Sequence, residues 1–353
     1  MPPPSNSFFA RWFALLSLLI VGLLVLGGWV RLTDSGLSIV QWDLISGVLP
    51  PLSDEGWQAK YDLYKDSPEF RTSTFATMTV SRFKYIFMME YLHRLLARVI
   101  GLVSLLPLLV LWRRLKPGQR LQFGAVTGMI TLNGVFGWLM VQSGLGESAR
   151  VSHFMLTLHL TTALLTLALS FRQFLRYAQP HEPVWKDPVR RARMRPWTIV
   201  LCVVVLIQMM YGAMTAGLDA GHIAYDFPKM NGYWLMPGLL SGDGFFSDLV
   251  NHMPMIYFIH RVFGVAVGCY IAGFYLAWVY RVDCDNTRWG VSAVGVVCAV
   301  QVALGIAALA LQLRPPMALA HQFTGCVLWL SCLYVLYCTR PLRAPSGEVA
   351  SGG

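Results

Sequence analysis

The sequence has few charged residues. Only 13% of its 353 residues are Asp, Glu, Lys or Arg, whereas soluble domains carry about a quarter. The deficit falls in apolar runs long enough to cross a bilayer as helices, at 12–30, 84–111, 121–141, 152–172, 196–216, 253–280, 289–312 and 316–338. The short alternating segments of a transmembrane β-barrel do not occur. The composition predicts an all-α integral membrane protein with eight transmembrane helices.

Cysteine motifs are also lacking. The seven cysteines form no CxxC pair and no zinc-ligand spacing, and six of them fall inside the apolar runs. Thiols in such positions commonly serve as small packing residues. The first long loop, residues 31–83, contains no cysteine. The first apolar run is too long for a secretory signal and is expected to be retained as a span.

The net charge of +10 lies in short links between spans, which explains it without a nucleic-acid partner. Basic residues crowd the links after the second, fourth, sixth and eighth spans, as with Arg113, Arg114 and Lys116 in the first of these. The positive-inside rule places these links and both termini in the cytoplasm. The long loops at 31–83 and 217–252 are then external, and the first is expected to contain an amphipathic helix on the membrane surface.

The two halves of the chain resemble each other. Three pairs of strings match: HRLLA at 93–97 with HRVFG at 260–264, HLTTA at 159–163 with HQFTG at 321–325, and GGWVRLTDSGL at 27–37 with YGAMTAGLDAG at 211–221. An even number of spans separates the copies, so the repeats are parallel. We expect two four-helix bundles, residues 1–180 and 181–353, related by a pseudo-twofold axis along the membrane normal.

Histidines within the spans are the main candidates for function. They are His93, His159, His260 and His321, whereas the other four lie in loops or at span ends. At 1.5 Å per residue, each lies roughly 8–15 Å below the external surface. Facing histidines in a helix bundle hold metals or haem. Zinc would need further ligands, but haem iron needs only two axial ones. The pattern favours two bis-histidine haem sites, one per bundle.

Arginines accompany these histidines. Arg94 and Arg261 directly follow a histidine, and Arg98 lies one turn after Arg94. Haem propionates could neutralise them through charge-assisted hydrogen bonds. Pairing with helix carbonyls, or snorkelling to the surface, would explain them equally well.

A carboxyl group distinguishes one half from the other. Glu90 lies three residues before His93 and therefore on the same helix face, whereas the matching position before His260 is Tyr257. This asymmetry suggests that one site performs chemistry while the other carries electrons. A structural ion pair between Glu90 and an arginine is the alternative.

Taken together, these motifs resemble haem A synthase. The resemblance rests on EYLHR at 90–94 with His159, on HR at 260–261 and on His321, and it covers about residues 10–340. The loop strings SGLSIVQWDLISGVLPPLS at 35–53 and YDLYKDSPEF at 61–70 are similar to the alphaproteobacterial and mitochondrial branch of that family.

This resemblance implies an oxidoreductase of the bacterial inner membrane that converts haem O to haem A. Two hydroxylations would oxidise the C8 methyl group to a formyl group. The resemblance further implies that His260 and His321 ligate a resident haem b, and that His93 and His159 flank the substrate haem O, with Glu90 as the catalytic carboxylate. Haem O synthase is the implied upstream partner, and the electron acceptor stays open. Some bacterial members carry a cysteine pair in the first external loop, so its absence here removes a thiol–disulfide electron route through that loop.

Two other functions fit parts of the pattern. A two-haem cytochrome that only transfers electrons would need the four histidines but no carboxyl group beside a haem. A parallel-repeat transporter could relay protons through histidines, but that class usually breaks its helices at the midplane.

Overall fold

The structure is a computed structural model that describes residues 5–41, 46–72, 77–146, 149–179 and 185–341. Its helices are α1 (Asn6–Leu32), α2 (Asp54–Lys65), α3 (Pro68–Thr72), α4 (Val80–Leu111), α5 (Pro117–Gly144), α6 (His153–Ala178), α7 (Pro188–Gly217), α8 (Phe245–Asn251), α9 (Met253–Trp278), α10 (Asp285–Ala310) and α11 (Pro315–Cys338). His181 and the expected domain boundary beside it lie outside the described residues.

Eight of these helices are long and apolar enough to cross a membrane, and they coincide with the eight predicted spans. They are α1, α4, α5, α6, α7, α9, α10 and α11. No β-strand is present in the part of the chain that the structure describes. The chain is therefore an all-α, multi-pass membrane protein, as predicted.

Capping side chains and prolines mark the first residues of the spans. The side chains of Ser5, Thr79 and Asp187 accept backbone N–H groups at the starts of α1, α4 and α7. Proline stands in the first turn of α5, α7, α9 and α11, where its missing N–H costs nothing. α4 continues through Pro107, so this proline does not make the midplane break that is typical of transporters.

The spans pack as two sets of four. In the N-terminal half, α1 and α5 each pack on both α4 and α6, and in the C-terminal half α7 and α10 each pack on both α9 and α11. Contacts of α6 with α7 and of α1 with α11 join the two halves. The twofold axis and the division into two domains stay predictions.

Helix ends correspond between the halves. Leu32 ends α1 and Gly217 ends α7. Two residues later, Asp34 and Asp219 both take left-handed backbone conformations, with φ of 49° and 54°, which aspartate tolerates better than most residues. The strings at 27–37 and 211–221 therefore align after a shift of one residue.

Arg31 connects the halves at the end of the bundle that carries residues 33–79 and 218–252, here called the large-loop end. Its guanidinium contacts Asp34 at 3.3 Å and Asp219 at 2.6 Å. It also donates to the backbone carbonyl of Ala216. One arginine of the first half thus binds the matching end of α7 in the second.

The first long loop is ordered by packing on α4. Tyr61 and Tyr64 of α2 are buried, and their rings lie 5.2 and 5.3 Å from the ring of Phe83. The predicted amphipathic helix therefore exists, and its buried face contacts an extension of α4 at the large-loop end. Whether α2 also touches the membrane surface stays a prediction.

Candidate functional site

The first pair of span histidines comes together inside the N-terminal half. His93 of α4 packs against α1, where a Cβ atom on Gly27 would lie 3.0 Å from its Nε2. His159 of α6 packs against α5, where a Cβ atom on Gly137 would lie 3.0 Å from its Cε1. The two rings are close enough for a charge on one to act on the other.

The second pair repeats this arrangement in the C-terminal half. His260 of α9 packs against α7, where a Cβ atom on Gly212 would lie 3.1 Å from its Cε1. His321 of α11 packs against α10, where a Cβ atom on Gly305 would lie 2.9 Å from its Cε1. These rings also lie within range of each other's charge. Each half therefore holds one facing pair.

Backbone carbonyls hold two of the rings in a definite tautomer. Nδ1 of His159 donates to the carbonyl of Asn133, and Nδ1 of His321 donates to that of Gln301, both at 3.1 Å. Because a carbonyl only accepts, Nδ1 carries the proton and Nε2 keeps its lone pair, the form that binds iron. Among the described residues no three His, Cys, Asp or Glu side chains are grouped as a protein-held metal ion would need. Two imidazole rings are a donor set that haem iron accepts.

Glu90 is held by the first residues of the first long loop. Its carboxylate, only 3% exposed, accepts the Ser38 hydroxyl at 2.6 Å and the Ile39 N–H at 2.8 Å. Arg94, one turn later on α4, forms an ion pair with it and also donates to the Ile39 carbonyl at 3.2 Å. The loop, the carboxylate and the arginine form one buried network on the helix that carries His93.

The second half builds its network from different groups. The hydroxyl of Tyr257 donates to the backbone carbonyl of Ala224. Arg261 donates to the carbonyls of Asp226 at 2.6 Å and Lys229 at 2.9 Å, within the second long loop. Both arginines next to a histidine are therefore directed to a loop at the large-loop end.

Arg94 and Arg98 also line a cleft of about 410 Å³ between α2 and α4. Its other walls are mostly apolar and include Ile39, Leu63 and Phe87. No span histidine lines this cleft. Of the three candidate propionate ligands, two therefore share a surface with the first loop, and Arg261 lies against the second.

A second buried acid lies in the first loop. Glu69 accepts the Tyr64 hydroxyl at 2.9 Å. Burial, together with the negative charge of Glu90, raises the pKa of Glu69 to about 7, although the hydrogen bond from Tyr64 opposes this rise. Glu69 can therefore change its charge near neutral pH.

Comparison with known proteins identifies the family to which the chain belongs. The model of the COX15-CtaA family, described as cytochrome oxidase assembly protein, matches residues 10–333. The chain belongs to this family.

Members of the COX15-CtaA family with similar sequences carry one name. The heme A synthase of Erythrobacter litoralis is 36% identical over 344 residues, which are 95% of this chain and 98% of the relative. That of Allorhizobium ampelinum is 37% identical over 316 residues, 88% of this chain and 85% of the relative. Human heme A synthase COX15 is 32% identical over 334 residues, 92% of this chain and 81% of the relative. The resemblance seen in the sequence motifs is confirmed.

The structure of this COX15-CtaA member also gives roles to glycines that the sequence pattern left to helix packing. The four that touch histidine rings are Gly27, Gly137, Gly212 and Gly305. Aligning the odd-numbered spans with the correct shift would have found them, because Gly27 and Gly212 then occupy matching positions. The other described histidines bind loops instead, as when His252 contacts the Gly238 carbonyl at 2.8 Å.

Proposed function

We propose that this chain is a membrane oxidoreductase that makes haem A from haem O, the activity for which its relatives are named. Haem O binds between His93 and His159, and a resident haem b binds between His260 and His321. The observation that carries the proposal is the presence of two matched histidine pairs with a buried carboxylate beside only the first.

The C-terminal half holds the cofactor. Haem b, when bound, supplies the redox capacity of the enzyme. His321 would bind the iron through Nε2, because its Nδ1 is bound to a backbone carbonyl at 3.1 Å. His260, whose ring rests on Gly212, would be the second protein ligand. Residues 181–353 would thus form a redox domain and residues 1–180 a substrate domain.

The N-terminal half performs the chemistry on the methyl group at C8 of haem O. A first hydroxylation gives a hydroxymethyl group, and a second gives a gem-diol that loses water to leave the formyl group. Removing electrons from the methyl carbon leaves positive charge there, which the Glu90 carboxylate would stabilise in a site of low dielectric constant. Glu90 could also accept a proton from an attacking water molecule.

The loop contacts of Glu90 prepare it for this role. Ser38, Ile39 and Arg94 fix both carboxylate oxygens before substrate arrives, so little reorganisation is needed during the reaction. Arg94, Arg98 and Arg261 are the residues to which we assign the haem propionates. Arg94 and Arg261 would then share their charge between a propionate and the loop groups that they bind now.

The location and partners follow from the same proposal. The chain lies in the bacterial inner membrane with both termini in the cytoplasm, and its large-loop end faces outwards. Haem O synthase supplies the substrate, membrane lipid surrounds the spans, and an external acceptor takes the electrons. No nucleic acid takes part.

The test is to purify the protein with and without co-expressed haem O synthase and to separate the extracted haems by chromatography. Haem b alone in the first preparation, and haem b with haem O and haem A in the second, is the expected result. Two equivalents of haem b in both preparations, with no haem A, would instead identify an electron-transfer cytochrome.

A further inference from the structure

A glutamine lies behind His260 in the C-terminal half. Gln208 of α7 donates from Nε2 to the backbone carbonyl of His260 at 2.8 Å, and the same nitrogen lies 3.1 Å from Nδ1 of the ring. The space for this amide is left by Gly264, one turn after His260, where a Cβ atom would lie 2.7 Å from Gln208 Nε2. The glycine and the glutamine therefore form a matched pair.

A second pair of this kind lies behind His321. The carbonyl of Gln301 on α10 accepts Nδ1 of the ring at 3.1 Å, and its side-chain Nε2 lies 3.4 Å from Nε2 of the ring. Gly325 is again one turn after the histidine, and a Cβ atom on it would lie 3.3 Å from Gln301 Nε2. Both histidines of this half thus have a glutamine on one side and a glycine one turn later.

The N-terminal half lacks the pair behind His93. Gln208 lies one turn before Gly212 on α7, and the residue one turn before Gly27 on α1 is Leu23. The residue one turn after His93 is Ala97 instead of glycine. A leucine has no group that can form a hydrogen bond with the His93 ring.

The residues near His159 also differ from their counterparts near His321. Asn133, one turn before Gly137, takes the place of Gln301 and has a side chain shorter by one methylene group. Ala163 takes the place of Gly325. Only the backbone carbonyl of Asn133 contacts the ring, at 3.1 Å.

Gln208 has an acceptor to offer to His260 when that histidine binds iron. Oε1 of Gln208 is buried without a hydrogen-bond partner among the described residues, which is costly. The same holds for Oε1 of Gln301 and for Oδ1 of its counterpart Asn133, so the two halves do not differ there. When Nε2 of His260 binds iron, its Nδ1 must carry a proton. Turning the Gln208 amide by half a turn would then bring Oε1 to Nδ1 as the acceptor, in exchange for the hydrogen bond to the His260 carbonyl. That carbonyl lies inside α9 and keeps its helical N–H donor.

We propose that Gln208 is a positioning residue that locks His260 as a ligand of the resident haem, and that the first half lacks this lock at His93 so that substrate and product haems can exchange. A partner on the second ring nitrogen fixes the orientation and basicity of a metal-bound histidine and is typically worth 10- to 100-fold in affinity. The inference rests on the proposed function only through the assignment of haem b to His260 and His321.

The experiment replaces Gln208 and Gln301 of the second half with the residues at the matching positions of the first half. Purified protein containing haem b, as wild type, Gln208→Leu or Gln301→Asn, is mixed with apomyoglobin, and the rate of haem transfer is followed by absorbance. We expect transfer about 10- to 100-fold faster in Gln208→Leu. Gln301→Asn should transfer haem at the wild-type rate, because the hydrogen bond to Nδ1 of His321 comes from the backbone carbonyl. Gln208→Glu should lower the midpoint potential of the haem, because a carboxylate on Nδ1 makes the histidine a stronger donor to ferric iron.

The chain offers a matched control in Gln322, next to His321. Its Nε2 donates to the carbonyl of Leu24 in α1 at 2.8 Å, away from the histidine rings, so Gln322→Leu should leave the transfer rate and the potential unchanged. In the reverse direction, Leu23→Gln combined with Ala97→Gly should slow haem release from the first half.

Two outcomes would overturn the lock in different ways. Wild-type transfer rates and potentials in Gln208→Leu and Gln208→Glu, while His260→Ala loses haem b, would remove the lock and leave the proposed function standing. Retention of haem b by His260→Ala would overturn the haem assignment and the lock together.

Discussion

The two halves of this molecule use the same layout, but the residue three positions before the first span histidine of each half has opposite hydrogen-bond polarity. In the first, Glu90 accepts hydrogen bonds from Ser38 and from the Ile39 N–H, so the loop donates. In the second, Tyr257 donates to the Ala224 carbonyl, so the loop accepts. Both solutions dock a long loop on the helix that carries a histidine, but only the first places a negative charge there.

This difference teaches how one scaffold serves two purposes. In both halves a glycine of a neighbouring helix leaves room for each histidine ring, so the helix packing places the four rings in a matched way. The residue three positions before the histidine on α4 or α9 then decides whether the site has a carboxylate. Very few side chains therefore decide which reaction each half can perform, and substitutions of those side chains test this directly.

The largest effects are expected from the histidines. His260→Ala and His321→Ala should lose nearly all haem b, because an axial ligand is removed. His93→Ala and His159→Ala should keep haem b but form no haem A. Haem b per protein, measured as the pyridine haemochrome, and haem A in membrane extracts give the two readings. If His93→Ala emptied the protein of haem b yet kept activity, the roles of the two halves would be exchanged.

Next in size is the carboxylate. Glu90→Gln keeps the size of the side chain but removes the charge and the base, so haem A formed per haem b should fall by roughly 10²-fold or more. Tyr257→Phe is the matched change in the other half and should leave turnover within a few-fold of wild type. Membranes supplied with haem O provide the assay. Near-normal turnover in Glu90→Gln would leave this residue only a structural partner of Arg94.

A smaller effect, on the pH dependence of stability, is expected to differ between an acid of the first long loop, Glu69, and an acid of the second, Asp226. Burial raises the pKa of Glu69 from its ordinary value of 4.5 to about 7, so the protonated form stabilises the fold. That stability is lost as pH rises through about 7. The thermal midpoint of wild type in detergent should therefore fall relative to Glu69→Gln between about pH 5 and pH 8.

The second loop supplies the control for this measurement. Hydrogen bonds from the backbone N–H groups of Gly232 and Asn231 lower the pKa of Asp226. This residue is already ionised above pH 5, so Asp226→Asn should change the midpoint by the same amount at every pH in the range. Parallel curves for wild type and Glu69→Gln would show that Glu69 does not titrate there.

The last prediction is that thiol reagents have no effect on haem A formation. All seven cysteines lie in the second half of the sequence, and the first loop has none. Thiol reductants or membrane-impermeant alkylating reagents applied at the large-loop end should leave haem A formation unchanged. Strong inhibition without loss of haem b would contradict the absence of thiol chemistry on that side.

Much of this arrangement is predictable because it depends on periodicity and local spacing. Apolar runs locate the spans, and a three-residue spacing puts Glu90 and His93 on one helix face. Contacts between distant segments are not predictable in this way. No local pattern shows that Ser38 and Ile39 bind Glu90, because about fifty residues of loop and helix separate them. The glycines were visible, but their function depends on a ring that a different helix supplies.

Arg31 has a consequence for how the protein is made. The N-terminal half leaves the ribosome first, and at that stage Arg31 has its neighbour Asp34 in reach. Its shorter contact, at 2.6 Å to Asp219, can form only after α7 has been synthesised and inserted. This ion pair therefore marks the docking of α7, the first span of the second half, against the end of α1.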